Sequence, residues 1–274
     1  MRRGVFTVPL SRYAVLWAGI FSLLVIGCAG DEVVTSKKST AFRDLGNSYI
    51  HQGDYRSALE QLLKAAELEP RNADLHHELA LTYKYLGIYG ESLDHFKKAL
   101  ALKSDFPEAQ NNLGTLFLST GEWDQAIVCF QEATSNILYK TSHFAYNNIG
   151  LAYFSKGEYR EAVANYLEAL KLAPTFRLAY YNLGIAYEAM GKHEEAVDAY
   201  ESAVSRDPEY SAAHLNLGRL YLQLNKREDA RRALSRTVEV DPKGINGNEA
   251  RQILRKNRLL MESVRQQAEG RSPP

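Results

Sequence analysis

Residues 177–210 read RLAYYNLGIAYEAMGKHEEAVDAYESAVSRDPEY. Gly184 and Ala196 are small enough to let two antiparallel helices approach closely, and Tyr187 and Tyr200 are large enough to fill the space between them. Gly191 supplies the turn and Pro208 stops the second helix. The same register recurs about every 34 residues, with Gly46 and Ala58, Ala80 and Ser92, Gly114 and Ala126, Gly150 and Ala162, and Gly218 and Ala230 at the small positions. A unit this short cannot bury its apolar face alone, so neighbouring units must stack, and the periodicity decides the fold before any composition is weighed.

Leu183-Gly184, Tyr187, Gly191, Ala196, Tyr200, Ala203 and Pro208 fall where the tetratricopeptide repeat places its packing residues, and the chain resembles that family over 39–244. The resemblance implies an all-α superhelical solenoid of six helix-turn-helix repeats with a concave inner surface. The repeats are expected at 39–72, 73–106, 107–142, 143–176, 177–210 and 211–244. Residues 245–265 predict a capping helix, with Ile253, Leu254, Leu259 and Leu260 on one side and basic residues elsewhere. Residues 266–274 are expected to be a disordered tail.

The chain has 274 residues, 45% hydrophobic and 24% charged, the makeup of a folded protein. Lys+Arg and Asp+Glu stand at 33 each, so no general field draws in nucleic acid. Residues 1–27 contain Arg2, Arg3, Arg12 and no acid; taking those three from 33 leaves 30 basic residues against 33 acidic, a net charge of about −3. Those arginines precede the apolar run YAVLWAGIFSLLVIG, which predicts a secretory signal over 1–27. The Val25–Cys28 stretch VIGC resembles the bacterial lipoprotein box, which implies acylation of Cys28 and a membrane anchor. Residues 28–38 then form a tether. Ala29 rather than Asp follows the cysteine, and by resemblance to Gram-negative lipoproteins this implies the periplasmic face of the outer membrane. Only Cys28 and Cys129 occur, so no disulfide framework is expected, and Cys129 reads as a small buried hydrophobe.

Catalysis finds no support: the sequence has no phosphate-binding glycine loop, no metal-ligand spacing and no nucleophile motif, and nothing calls for a cofactor or a small-molecule substrate. His77 and Glu78 come nearest, but position 81 is Leu, where a zinc protease would need its second histidine. This cluster, His76 to Glu78, and the stretch Lys192 to Glu195 both read as solvated helix surface.

Binding is what remains, and the repeat family directs the second, fifth, sixth, ninth and twelfth positions of each first helix into the groove. The sixth position gives Asn112, Asn148, Asn182 and Asn216, a ladder able to donate to and accept from an extended peptide. Repeats three to five add Leu118, Phe144, Leu151, Phe154, Leu178, Tyr181 and Ile185, an apolar patch suited to an apolar peptide or amphipathic helix. Repeats one and two offer Arg43, Asn47, Asp74, His77 and Lys84 instead.

The third repeat is two residues long, lacks the usual closing proline and carries SNILYKTSHFAYNNIG over Ser135–Gly150. This junction, with the lipoprotein box and the six repeats, resembles the PilF/PilW family of type IV pilus biogenesis lipoproteins, also described as pilotins. The resemblance implies a scaffold that binds a pilus secretin subunit and assists its localisation and multimerisation. Many members tie repeats three and four with a cysteine pair, whereas this chain has Leu118 and Ala152 at the corresponding positions. The alternative is a general periplasmic adaptor lipoprotein that docks peptidoglycan hydrolases or other envelope-assembly machinery.

Overall fold

The computed structural model describes residues 34–268, which fold into thirteen helices and no strands. The expected signal peptide, Cys28 and the last residues of the tail lie outside the described residues. The chain divides into two compact units, one ending at Ala109 and the other beginning at Gln110.

The first unit holds α1 (34–51), α2 (Tyr55–Leu68), α3 (Ala73–Tyr85) and α4 (Tyr89–Leu102). Among the described residues α1 already includes 34–38, five residues ahead of the expected repeat, so these are helical rather than tether. The Ser39 hydroxyl donates to the Ala65 carbonyl at 3.2 Å and fixes α1 on α2, and a helix already anchored extends towards its N-terminus at little cost. Leu62, Ala65, Leu75 and Leu79 are fully buried, with Phe42, Ile50 and Tyr83 packed around them. In the second pair the Ser92 hydroxyl donates to the Ala80 carbonyl at 2.8 Å, so a serine takes the small position without leaving its oxygen unpaired.

The second unit continues from α5 (Pro107–Thr120), in which the division falls, through α6 (Trp123–Ser135), α7 (Ser142–Ser155), α8 (Tyr159–Leu172), α9 (Arg177–Ala189), α10 (His193–Arg206), α11 (Ser211–Gln223) and α12 (Arg227–Val240) to α13 (Ile245–Ala268). Its core runs from pair to pair. Tyr166 of α8 and Leu183 of α9 share one buried cluster, while Tyr200 of α10, Leu220 of α11 and Ala230 of α12 share the next. Helix α13 closes the stack as expected: Ala250, Ile253 and Leu254 pack on Leu215 and Leu234. It runs through Ala268, so 266–268 are helical rather than part of a disordered tail. Among the described residues, no helix is long and apolar enough to cross a membrane.

The hairpins of the second unit depend on a missing side chain. A Cβ on Gly184 would sit 2.5 Å from Cε1 of Tyr200, whose ring is fully buried and whose hydroxyl donates to Glu188. The turn after α9 closes by a Schellman pattern: Gly191, at φ 71°, donates to the Glu188 carbonyl and Lys192 to the Tyr187 carbonyl, both at 2.9 Å.

The connection between repeats three and four differs from the rest. The connections at 69–72, 103–106, 173–176, 207–210 and 241–244 are four residues long, whereas 136–141 is six. The Asn136 side chain accepts from the Leu138 amide at 2.7 Å, and the Asn136 carbonyl accepts from the Tyr139 amide at 3.1 Å. This Asx turn buries Tyr139 and turns Ile137 (96% exposed) and Leu138 (79%) outwards.

Two predictions follow from this packing. Gly184→Ala gains about 1 kcal/mol of helix propensity but meets a ring held at both ends, an overpacking cost of about 1–3 kcal/mol; Gly191→Ala meets open space and bears only the left-handed backbone penalty of about 1–2 kcal/mol. Chemical denaturation should therefore show both variants less stable than wild type. Relaxing the ring by Tyr200→Leu should soften the loss at Gly184 and leave that at Gly191 unchanged. In the long junction, Tyr139→Ala should destabilise by about 2–4 kcal/mol, as for other buried aromatics, whereas Ile137→Ser and Leu138→Ser should leave thermal unfolding unchanged.

Candidate partner groove

The asparagines expected to face a ligand are engaged between repeats. Asn148 donates from Nδ2 to Oδ1 of Asn111 at 3.2 Å, Asn182 to Oδ1 of Asn147 at 2.9 Å, and Asn216 to the Tyr181 hydroxyl at 3.3 Å. In every case the sixth position of one first helix binds the fifth position of the first helix before it. Asn182 is buried, and Asn112, Asn148 and Asn216 are half-buried. The ladder therefore serves as a stitch along the first helices, with its amide donors at 148, 182 and 216 committed within the fold. The first unit uses the same two positions with charges: Arg43 donates through Nε to both Glu78 carboxylate oxygens at 2.9 and 2.8 Å, and Asn47 adds a contact to the same carboxylate at 3.3 Å. That carboxylate helps hold the Arg43 guanidinium above its ordinary pKa.

The apolar groove residues divide into two sets. Leu151 and Phe154 are half-buried against the core of α8 and α9, with Phe154 on the Tyr159 ring at 5.2 Å. Tyr181 and Ile185 pack on the core of α10 to α12, with Tyr181 between the rings of Tyr200 and Tyr210 at 5.9 and 5.1 Å. Burial raises the pKa of the Tyr181 hydroxyl, which stays neutral and able to accept from Asn216. These four hold the repeats together, and Leu118 is half-buried with them. Phe144 (43% exposed) and Leu178 (38%) are the expected groove residues that reach solvent most. Both occupy the second position, on the successive first helices α7 and α9. Phe144 is held in place edge-on by Phe176 at 5.2 Å, with His143 beside it at 4.2 Å. A rigid aromatic ring and an aliphatic side chain at one register make a small apolar foothold able to bury against a partner.

The cluster at His76 to Glu78 is not the solvated surface its composition suggests. His76 is 7% exposed, with Nε2 on the Pro70 carbonyl and Nδ1 facing Nδ1 of His95, both at 3.0 Å. His77 lies against Phe96 and Phe106, and burial pushes its pKa down to about 4. The reason is position: α3 faces α4 along this edge, where the sequence supplies rings instead of aliphatics. The stretch Lys192 to Glu195 is exposed, as expected. Cys129 is buried as expected, and its thiol, pushed up to about 12 mainly by burial, is chemically quiet. Asp74 of the first unit pairs with Lys103 at 3.7 Å, and burial lowers the pKa of Lys84.

Sequence reasoning missed two features. The acceptors at the fifth position had a visible signal, the doublet Asn147-Asn148, in which Asn147 accepts from Asn182 of the next first helix and Asn148 donates to Asn111 of the one before. The exposed pair Ile137-Leu138 had none, because only folding shows that the buried residue of that turn is Tyr139.

Tetratricopeptide family patterns match most of the described chain: one described as TPR repeat at 46–87 and 150–191, and two described as tetratricopeptide repeat at 77–136 and 189–256. In sequence the chain is similar to the type IV pilus assembly protein PilF of Pseudomonas aeruginosa, 28% identical over 133 residues, which cover 44% of this chain and 53% of PilF. The chain thus spans about half of that protein's length, and a smaller share of the other curated relatives it matches. In fold it is similar to Pseudomonas aeruginosa PilF (TM-score 0.68, 20% identity, 80% of this chain and 98% of PilF). It is also similar to PilW, a type IV pilus biogenesis factor (TM-score 0.70, 22% identity, 77% of this chain and 97% of PilW). With its packing glycines, its turns and its stitched first helices in the family register, the chain belongs to the tetratricopeptide-repeat proteins, and within them its likeness to PilF is supported in sequence and in fold and its likeness to PilW in fold.

Proposed function

We propose that this protein is a type IV pilus biogenesis scaffold at the periplasmic face of the outer membrane, anchored through Cys28, which binds a secretin subunit and assists its localisation and multimerisation. The repeat fold supports a protein-interaction role. The observation that carries the reading further is the apolar foothold of Phe144 and Leu178, repeated at one register on adjacent first helices. An apolar segment of the partner, helical or extended, would bury both side chains, and its polar backbone would face the half-exposed polar rim of the groove.

The test separates docking from stacking. Phe144→Ser and Leu178→Ser remove the exposed pair, and each should weaken binding by about 2 kcal/mol, roughly thirtyfold, with little change in thermal unfolding. Phe154→Ser and Ile185→Ser should lower the melting temperature together with binding, because those residues lie in the repeat core. Capture of secretin from outer-membrane extract is the readout. Wild-type capture by a stable Phe144→Ser/Leu178→Ser protein would remove the groove from consideration, and capture of a peptidoglycan hydrolase in place of secretin would favour the general adaptor.

Anchoring is tested separately. Cys28→Ser should release a soluble form or leave an uncleaved precursor on cell fractionation. Mass spectrometry of wild-type protein from its native host should find the chain starting at an acylated Cys28, and an intact Met1 start with unmodified Cys28 would overturn the anchor.

A further inference from the structure

In an array of antiparallel hairpins each first helix begins, and each second helix ends, at the same edge. Within each unit the connections between repeats therefore share one edge, and the turns inside repeats share the other. In the second unit the large apolar side chains most open to solvent gather at the connection edge. Ile137 and Leu138 stand in the long junction, Leu172 (55% exposed) closes α8 and Ile245 (84%) opens α13. At the turn edge of that unit, Trp123 is the one exposed large apolar side chain among the described residues, at 39%.

The junction holds its pair outwards. Asn136 fixes the turn and Tyr139 is buried beneath it, so Ile137 and Leu138 are kept in water by the same bonds that seat their neighbour. From Ala133 to Gly157 the sequence has no acid, and Lys140 of the junction is exposed, so an anionic surface would be attracted there and not repelled. The connection at 207–210, with Asp207 and Glu209, interrupts the apolar row. A stable protein interface packs about 800 Å² of each partner into one patch, and side chains standing one or two to a connection cannot form one. Apolar side chains that project singly from polar connections suit the interfacial zone of a bilayer, which takes up each one separately.

The chain also brings a bilayer within reach. The first unit is helical by residue 34, which lies on that unit's own connection edge six residues after Cys28, and six residues span at most about 20 Å. A chain anchored at Cys28 is confined to the vicinity of the membrane, where contacts too weak to recruit a free protein become intramolecular and take effect. We propose that the connection edge of the second unit rests on the lipid surface that carries the anchor, with Ile137, Leu138, Leu172 and Ile245 dipping among the headgroups and Lys140 beside anionic lipid. This contact rests on the anchor proposed above and adds to it the face that the repeats turn to the bilayer.

The chain from Ala29 onward keeps every described helix, and a histidine tag in place of the signal peptide holds it on vesicles of phosphatidylcholine and phosphatidylglycerol that contain a nickel-chelating lipid. Because the tag supplies the tether, the result is independent of the acylation of Cys28, which mass spectrometry decides. Cys129 is buried, so a thiol-reactive fluorophore can be directed to Thr141→Cys in the junction or to Glu194→Cys at the turn edge, both exposed positions. Lipids carrying a nitroxide near the headgroup should quench the label at 141 several-fold more than the label at 194. Ile137→Ser with Leu138→Ser should bring the two to the same level. Equal quenching of the two labels without those substitutions, or quenching at 141 that survives them, would overturn the contact. So would a spectral shift of the label at 141 that grows with protein concentration in the absence of vesicles, which would assign the edge to a second copy of the chain. Should the double variant unfold, the comparison of the two labels decides alone.

Discussion

The close approach of two helices across a residue without a side chain sets the geometry of the hairpins in the second unit. In the hairpins of the second unit a glycine backbone lies against a large side chain: Gly114 on Phe130, Gly150 on Tyr166, Gly184 on Tyr200 and Gly218 on Leu234. Rings this deeply buried contribute about 1.5–3 kcal/mol each, and they can be buried only because nothing projects from the opposite helix.

Along the stack the interactions are of a second kind. The hairpins are closed by apolar contact, whereas successive first helices are also joined by single hydrogen bonds between the fifth and sixth positions. A hydrogen bond of this type contributes about 1 kcal/mol net but leaves a buried amide unsatisfied if the register slips. It therefore serves register more than stability. The same reasoning explains why the exposed apolar residues fall at the second position: it lies one turn before the stitch, where the first helix has begun but its neighbour does not yet cover it.

Almost all of the fold was legible in the sequence, because a small residue, a large side chain opposite it and a left-handed turn residue recur at nearly constant spacing and each has a single physical use. Five of the six connections have the regular length, and the odd one was visible as two surplus residues. The groove was less legible. A family register says which way a side chain points, but not how far the next repeat extends over it, so Phe154 and Ile185 looked as available as Phe144 and Leu178. The histidine cluster was misread for a related reason: polarity suggested water for His76, and only the fold brings the Pro70 carbonyl and His95, 19 residues further on, to the two ring nitrogens and so permits burial.

The use of Arg43 and Glu78 where later repeats use amides has an electrical consequence. Amide joints carry no net charge and respond little to the ionic atmosphere, whereas a guanidinium–carboxylate joint, with side chains 32% and 16% exposed, lies within reach of screening ions. Two joints of identical register are thus held by forces with different dependence on salt. The fifth-to-sixth joint thus keeps one register while its response to ions differs between the first unit and the second.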